Sequence, residues 1–81
     1  MPAYSLGWVD IAIEQYLALP IDQQQLVDTR VQQLLDDPAG PGTNHDPQTD
    51  LWTTTDSTGA GLIVYIFRVN RPRLVIMRLV Y

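Results

Sequence analysis

Two apolar, β-branched runs stand back to back near the end of this chain, Leu62–Arg68 and Leu74–Val80, joined around Asn70-Arg71-Pro72-Arg73. A connection that short leaves the two runs one arrangement, an antiparallel hairpin. A hairpin alone is marginal in water, so an apolar face of this one has to be covered by other parts of the chain. With 81 residues there is material for one domain, residues 1–81, and a single compact core.

Two stretches ahead of the hairpin have the periodicity to cover it. Ala12, Ile13, Tyr16 and Leu17 fall on one helical face, Asp10 suits the N-cap, and Pro20 stops the helix after about Leu19. Asp22 then suits a second cap, with Ile21 before it and Leu26 placed to form a hydrophobic staple. Val27, Val31, Leu34 and Leu35 make a buried stripe, glutamines fill much of the remaining surface, and Pro38 closes the helix. A link of two or three residues between the helices predicts an antiparallel helical hairpin. Tyr4, Leu6 and Trp8 alternate with Ser5 and Gly7 as a short strand, and Leu51–Thr55 reads as another. Pro38 to Asp50, with three prolines, two glycines and no apolar period, reads as a loop long enough to hint at function or mobility. Asp56-Ser57-Thr58-Gly59 reads as a turn. The expected order is β-α-α-β-β-β, an α+β fold with the helical hairpin packed on a small antiparallel sheet.

Charge is segregated. Residues 1–58 carry one arginine against nine acids, whereas residues 59–81 carry Arg68, Arg71, Arg73 and Arg78 and no acid. The whole chain is at −4, so general attraction to nucleic acid is weak and an anionic partner should be met through the C-terminal hairpin. Cysteine is absent, which excludes disulfides and thiolate metal sites and suits a reducing cytoplasm. The longest apolar run, Leu62–Phe67, is too short to span a membrane, and no basic region followed by an apolar stretch opens the chain. His45 is the lone histidine; beside Asn44 and Asp46 it reads as an exposed polar residue, not a metal ligand. Asp36-Asp37 lies at a helix C-terminus, where nothing places a substrate, and no cofactor is expected.

Five segments in order resemble the RelE/ParE superfamily of type II toxin–antitoxin toxins: Tyr4-Ser-Leu-Gly-Trp8; Tyr16-Leu-Ala-Leu-Pro20 with Leu34-Leu-Asp-Asp-Pro38; Leu51-Trp52; Leu62-Ile-Val-Tyr65; and Val75-Ile-Met-Arg78-Leu-Val-Tyr81. The resemblance covers nearly the whole chain and implies the same fold and a cognate antitoxin as partner. In the RelE-like branch it implies a ribosome-dependent mRNA endonuclease, whose chemistry needs groups that activate a 2′-hydroxyl, stabilise a phosphorane and protonate the leaving oxygen. Arg78 and Tyr81 are the catalytic candidates by that resemblance, and Arg68, Arg71 and Arg73 the candidates for binding nucleic acid or a partner. The chain departs from the pattern where Lys or Arg is common, at Thr53, Thr54 and Thr55. It departs again at Leu62, in place of the arginine three residues before the tyrosine, and at Val80, in place of a histidine. The ParE-like branch, which poisons DNA gyrase, needs no catalytic set. The expectation is therefore a toxin-like protein acting through protein contacts. The alternatives are the mRNA endonuclease and a non-toxic interaction module, and a homodimer is compatible with each. On the plainer reading, Arg78 is an outward strand arginine and Tyr81 a frayed terminal tyrosine. The three tip arginines are then a solvated turn that blunts a sheet edge, and Tyr65, Trp52 and Trp8 are packing residues.

Overall fold

The computed structural model describes residues 3–81. The chain runs β1 (Ser5–Trp8), α1 (Asp10–Leu17), α2 (Ile21–Asp36), β2 (Asn44–Asp46), β3 (Leu51–Thr54), β4 (Leu62–Arg68) and β5 (Arg73–Val80). The five strands form one sheet in the order β1-β5-β4-β3-β2. The helical hairpin packs on one face, as expected. Val27, Val31, Leu34 and Leu35 of α2 and Ala12 of α1 are buried with Ile63, Tyr65, Leu74, Ile76 and Leu79 of the sheet.

The sheet is mixed where an antiparallel one was expected. β1 runs parallel to β5, with Leu6 opposite Leu74 and Trp8 opposite Ile76, while every other pair is antiparallel. The long connection that a parallel pair needs is here the helical hairpin together with β2, β3 and β4, all of which lie between β1 and β5 in the chain. Part of the expected 38–50 loop is also strand. Asn44, His45 and Asp46 pair with Thr53, Trp52 and Leu51. Backbone bonding, together with His45 stacked on Trp52 at 4.6 Å, forms this strand without β-branched residues.

The helix starts differ by one or two residues from the expected caps. Val9 is the N-cap of α1 and Asp10 its first residue; Pro20 is the N-cap of α2 and Asp22 lies in the first turn. Both acids still sit where the positive end of the helix favours them. Ile21, now inside the helix, makes no staple and is 69% exposed. α1 ends at Leu17, and the Gln24 side chain donates to the freed carbonyls of Tyr16 and Leu19 at 3.0 and 3.2 Å. Its expected apolar face is only half used. Ala12 is buried, but Ile13 and Leu17 stay exposed, because the short helix crosses the margin of the sheet beside β5.

One irregularity sets the face of every residue near the end of the chain. Val64 opposes Arg78 and Tyr65 opposes Ile76, so Met77 has no partner across the ladder. This bulge shifts the alternation by one. Leu74 and Ile76 point to the helices before it, and Leu79 does so after it. Were Met77 paired in a plain ladder, Arg78 would enter the core and Leu79 would leave it. Past Trp8, β5 has no strand on its outer side among the described residues. There the Gln15 side chain accepts the Leu79 N–H at 2.7 Å.

Candidate functional site

The face opposite the helices is open. Alternation and the bulge bring Thr53, Leu62, Val64, Ile66, Val75 and Arg78 to it. Its centre is aliphatic and half-buried, and its cationic groups stand at the ends of the strands. Thr54, one of the three threonines in the expected basic positions, points the other way and is buried. Its Oγ1 accepts from Arg30 Nη2 at 2.8 Å and Nε at 3.2 Å and donates to the Gly42 carbonyl at 2.9 Å. Arg30 also reaches Gln33 and the Pro41 carbonyl, so it ties α2 to β3 and to the intervening loop.

Arg78 and Tyr81 line one groove with Gln15, Ala18 and Leu19, a cleft of about 390 Å³ beside α1. Arg78 is exposed, and among the described residues no carboxylate lies within ion-pair distance of it. Tyr81 is not frayed. Its hydroxyl donates to Asp56 Oδ2 at 2.8 Å, and its ring occupies the space where a side chain at Gly61 would begin. Asp56 is 4% exposed and also accepts from Thr58 N, Thr58 Oγ1 and Ala60 N at 2.8, 2.6 and 3.1 Å. Burial pushes the Asp56 carboxyl up, but the bonds from Thr58, Tyr81 and Ala60 outweigh it and hold the group below the ordinary aspartate value. Burial and the neighbouring carboxylate push the Tyr81 phenol well above its usual value. The Tyr81 hydroxyl is thus a neutral donor already committed to Asp56, poorly suited to take a proton from a substrate.

At the other end of the hairpin, Arg68 and Arg73 stand directly opposite each other, with Arg71 on the turn between them. The two side chains splay apart. Arg68 reaches Asp50 at 3.4 Å, and the Arg73 guanidinium lies across Gly7 of β1. His45 bonds the other oxygen of Asp50 at 2.9 Å. That bond lowers the Asp50 pKa against the opposing effect of burial, and the Arg68 charge adds to the lowering. Among the described residues no three His, Cys, Asp or Glu side chains come together as metal ligands. Tyr65 is buried, with its hydroxyl donating to the Pro38 carbonyl. Trp8 packs edge-on to Tyr16, and Trp52 lies between His45 and Phe67.

Sequence reasoning passed over Asp56, which it read only as a turn residue. The signal was the spacing: an Asp with Thr two residues on and glycines three and five residues on suits a side chain that caps its own turn. Arg30 is the one arginine of residues 1–58, and nothing local to it signals a contact 24 residues away.

No protein-family model matches the sequence, and a search of curated proteins finds no match either. Solved structures do match. The isolated E. coli RelE toxin superposes with a TM-score of 0.82 over 96% of this chain and 83% of that one, at 13% identity. A chain of the intact E. coli RelBE toxin–antitoxin complex gives 0.83 over 96% and 95%, also at 13% identity. The YoeB/ParE toxin from Agrobacterium tumefaciens gives 0.78 over 95% and 96%, at 14% identity. The chain has the RelE/ParE fold. On this RelE/ParE framework, Leu62 and Thr53 occupy the open face where the family pattern led us to expect cationic groups. Val80, 46% exposed, stands at the expected histidine position next to Tyr81.

Proposed function

We propose that this protein is the toxin-like component of a type II toxin–antitoxin module and acts through protein contacts. The observation that carries the reading is the chemistry of the open face. Aliphatic side chains and a threonine stand where a ribonuclease of this fold needs cations, and the one nearby phenol is bonded to a buried carboxylate. A leucine cannot neutralise a phosphorane, and a neutral tyrosine donating to aspartate is a weak base.

An antitoxin-type partner fits a second surface. Leu6, Trp8, Ile13, Tyr16, Leu17 and Val31 line a largely apolar groove of about 510 Å³ between α1, α2 and β1. β1 is an end strand of the sheet, so among the described residues its outer backbone groups have no strand partner. A segment that adds a strand there and buries side chains in the groove satisfies both needs. The E. coli chain that superposes best among those cited is found with its antitoxin, which supports the same partnership here.

Arg78 and Tyr81 share a cleft, and this favours the mRNA endonuclease as the second reading. Induced expression of the chain alone should arrest growth with transcripts left intact. An antitoxin-type partner, sought as a small acidic protein encoded beside it, should restore growth on co-expression, and Leu17→Glu should weaken that rescue. Growth unaffected by induction would leave only a non-toxic interaction module.

A further inference from the structure

The arginine tip of the β4–β5 hairpin is electrostatically unfinished. Arg68 and Arg73 are a directly opposed like-charge pair, an arrangement that costs free energy in an isolated sheet. Only Asp50, exposed and at 3.4 Å, compensates Arg68; among the described residues Arg71 and Arg73 have no carboxylate within ion-pair distance. The tip is continuous with apolar surface, since Val69 on the turn is 68% exposed and Ile66 and Val75 beside it are half-buried on the open face. The sheet's aromatic side chains lie elsewhere. Trp8 is held against Tyr16, and Tyr4, Trp52, Tyr65 and Phe67 pack on one another on the helix side.

We propose that this tip, with the adjoining aliphatic strip, is a docking site for an acidic, aliphatic-rich segment of a protein. Arginines at the tip would pair with its carboxylates, and Val69, Ile66 and Val75 would cover its apolar side chains. A single-stranded nucleic acid is the poorer match. Sequence-tolerant binding of unpaired bases relies on exposed aromatic faces, and the open face offers only aliphatic ones. The acidic body, with nine acids against one arginine in residues 1–58, also repels a long polyanion more than a short acidic segment. The site does not depend on whether the protein is toxic.

The test is selection of random peptides displayed on phage against the folded chain, beside the variant carrying Arg68→Gln, Arg71→Gln and Arg73→Gln. A melting curve confirms that the variant is folded, and Arg78→Gln serves as a control that leaves the tip intact. The wild type should enrich peptides combining Asp or Glu with Leu, Ile or Val. Their affinity should fall roughly tenfold or more in the triple variant, fall with added salt, and hold in Arg78→Gln. Enrichment that is neutral or basic, equal on the triple variant, or absent would overturn the proposal. So would tighter binding of a random single-stranded RNA pool through the same arginines. The readout is binding alone, so a failure here is distinguishable from a failure of growth arrest.

Discussion

Asp56 gathers Thr58, Ala60 and Tyr81 onto one buried carboxylate, and in doing so closes the β3–β4 turn and anchors the tyrosine that follows β5. Asparagine has about the same shape but presents two donors to groups that are themselves donors. Asp56→Asn should therefore cost about 1–3 kcal/mol at pH 7, measured by urea unfolding. The Asp56 pKa is lowered in the fold, so its contribution is present above the unfolded value near about 4. That contribution is lost as pH falls through the lower folded value. The gap between wild type and Asp56→Asn should accordingly close in acid. At the alkaline end the sign reverses. Tyr65, pushed up to about 12 by burial, and Tyr81, raised further, keep their protons while the unfolded chain ionises near about 10. Stability should fall as pH rises past that point, and less so in Tyr81→Phe. Gly61 has φ +69° and carries the Tyr81 ring against it. Gly61→Ala meets both obstacles and should cost upwards of about 1 kcal/mol. It should also free the Tyr81 ring, seen as a change in its near-ultraviolet signal. Gly7→Ala is a milder case, because the group in its way is the mobile end of Arg73.

Among the elements, the Met77 bulge is the one on which the candidate residues depend. It keeps Arg78 outside and Leu79 inside, and it leaves a Leu79 N–H for Gln15 to satisfy. Deleting Met77 makes Ile76, Arg78 and Leu79 consecutive opposite Tyr65, Val64 and Ile63, so plain alternation then keeps Arg78 outside and Leu79 inside. That variant should stay folded, with a cooperative melt by circular dichroism. Loss of the cooperative melt would show that the bulge itself is needed. Most elements were legible from the sequence. Val27, Val31, Leu34 and Leu35 gave α2 its face, Pro20 and Pro38 bounded that helix, and β4 was read to its observed limits. What escaped had no local signal. Asn44-His-Asp46 becomes strand only because β3 offers an edge. β1 pairs in parallel with a strand that begins only at Arg73, after both helices and three other strands, and nothing local in Ser5–Trp8 signals that. The bulge is invisible because Val-Ile-Met-Arg-Leu-Val reads equally well with and without an extra residue. Ile13 and Leu17 were read as core because periodicity reports a face, not what covers it.

For the whole molecule, fold and chemistry separate. The RelE/ParE framework survives at 13–14% identity to the structures it matches, because packing positions tolerate exchange among aliphatic residues. A face that cleaved RNA would have no such latitude, since a guanidinium facing a developing dianion has no aliphatic substitute. The candidate site was therefore legible mainly as departures: Leu62, Val80 and the threonines were visible in the sequence, while the commitment of Tyr81 to Asp56 needed three dimensions. The tip belongs to this scale too. Neutralising it with Arg73→Gln removes a like-charge pair and should leave stability unchanged or raise it by about 0.2–1 kcal/mol, in contrast to its effect on binding. The most direct test of the central claim is a transcriptome-wide map of mRNA 5′ ends shortly after the chain is induced during active translation. A protein that acts through contacts should arrest growth without new cleavage sites, and Arg78→Gln and Tyr81→Phe should leave the map unchanged. Cuts at defined positions in translated mRNA that vanish in Arg78→Gln and Tyr81→Phe would contradict it.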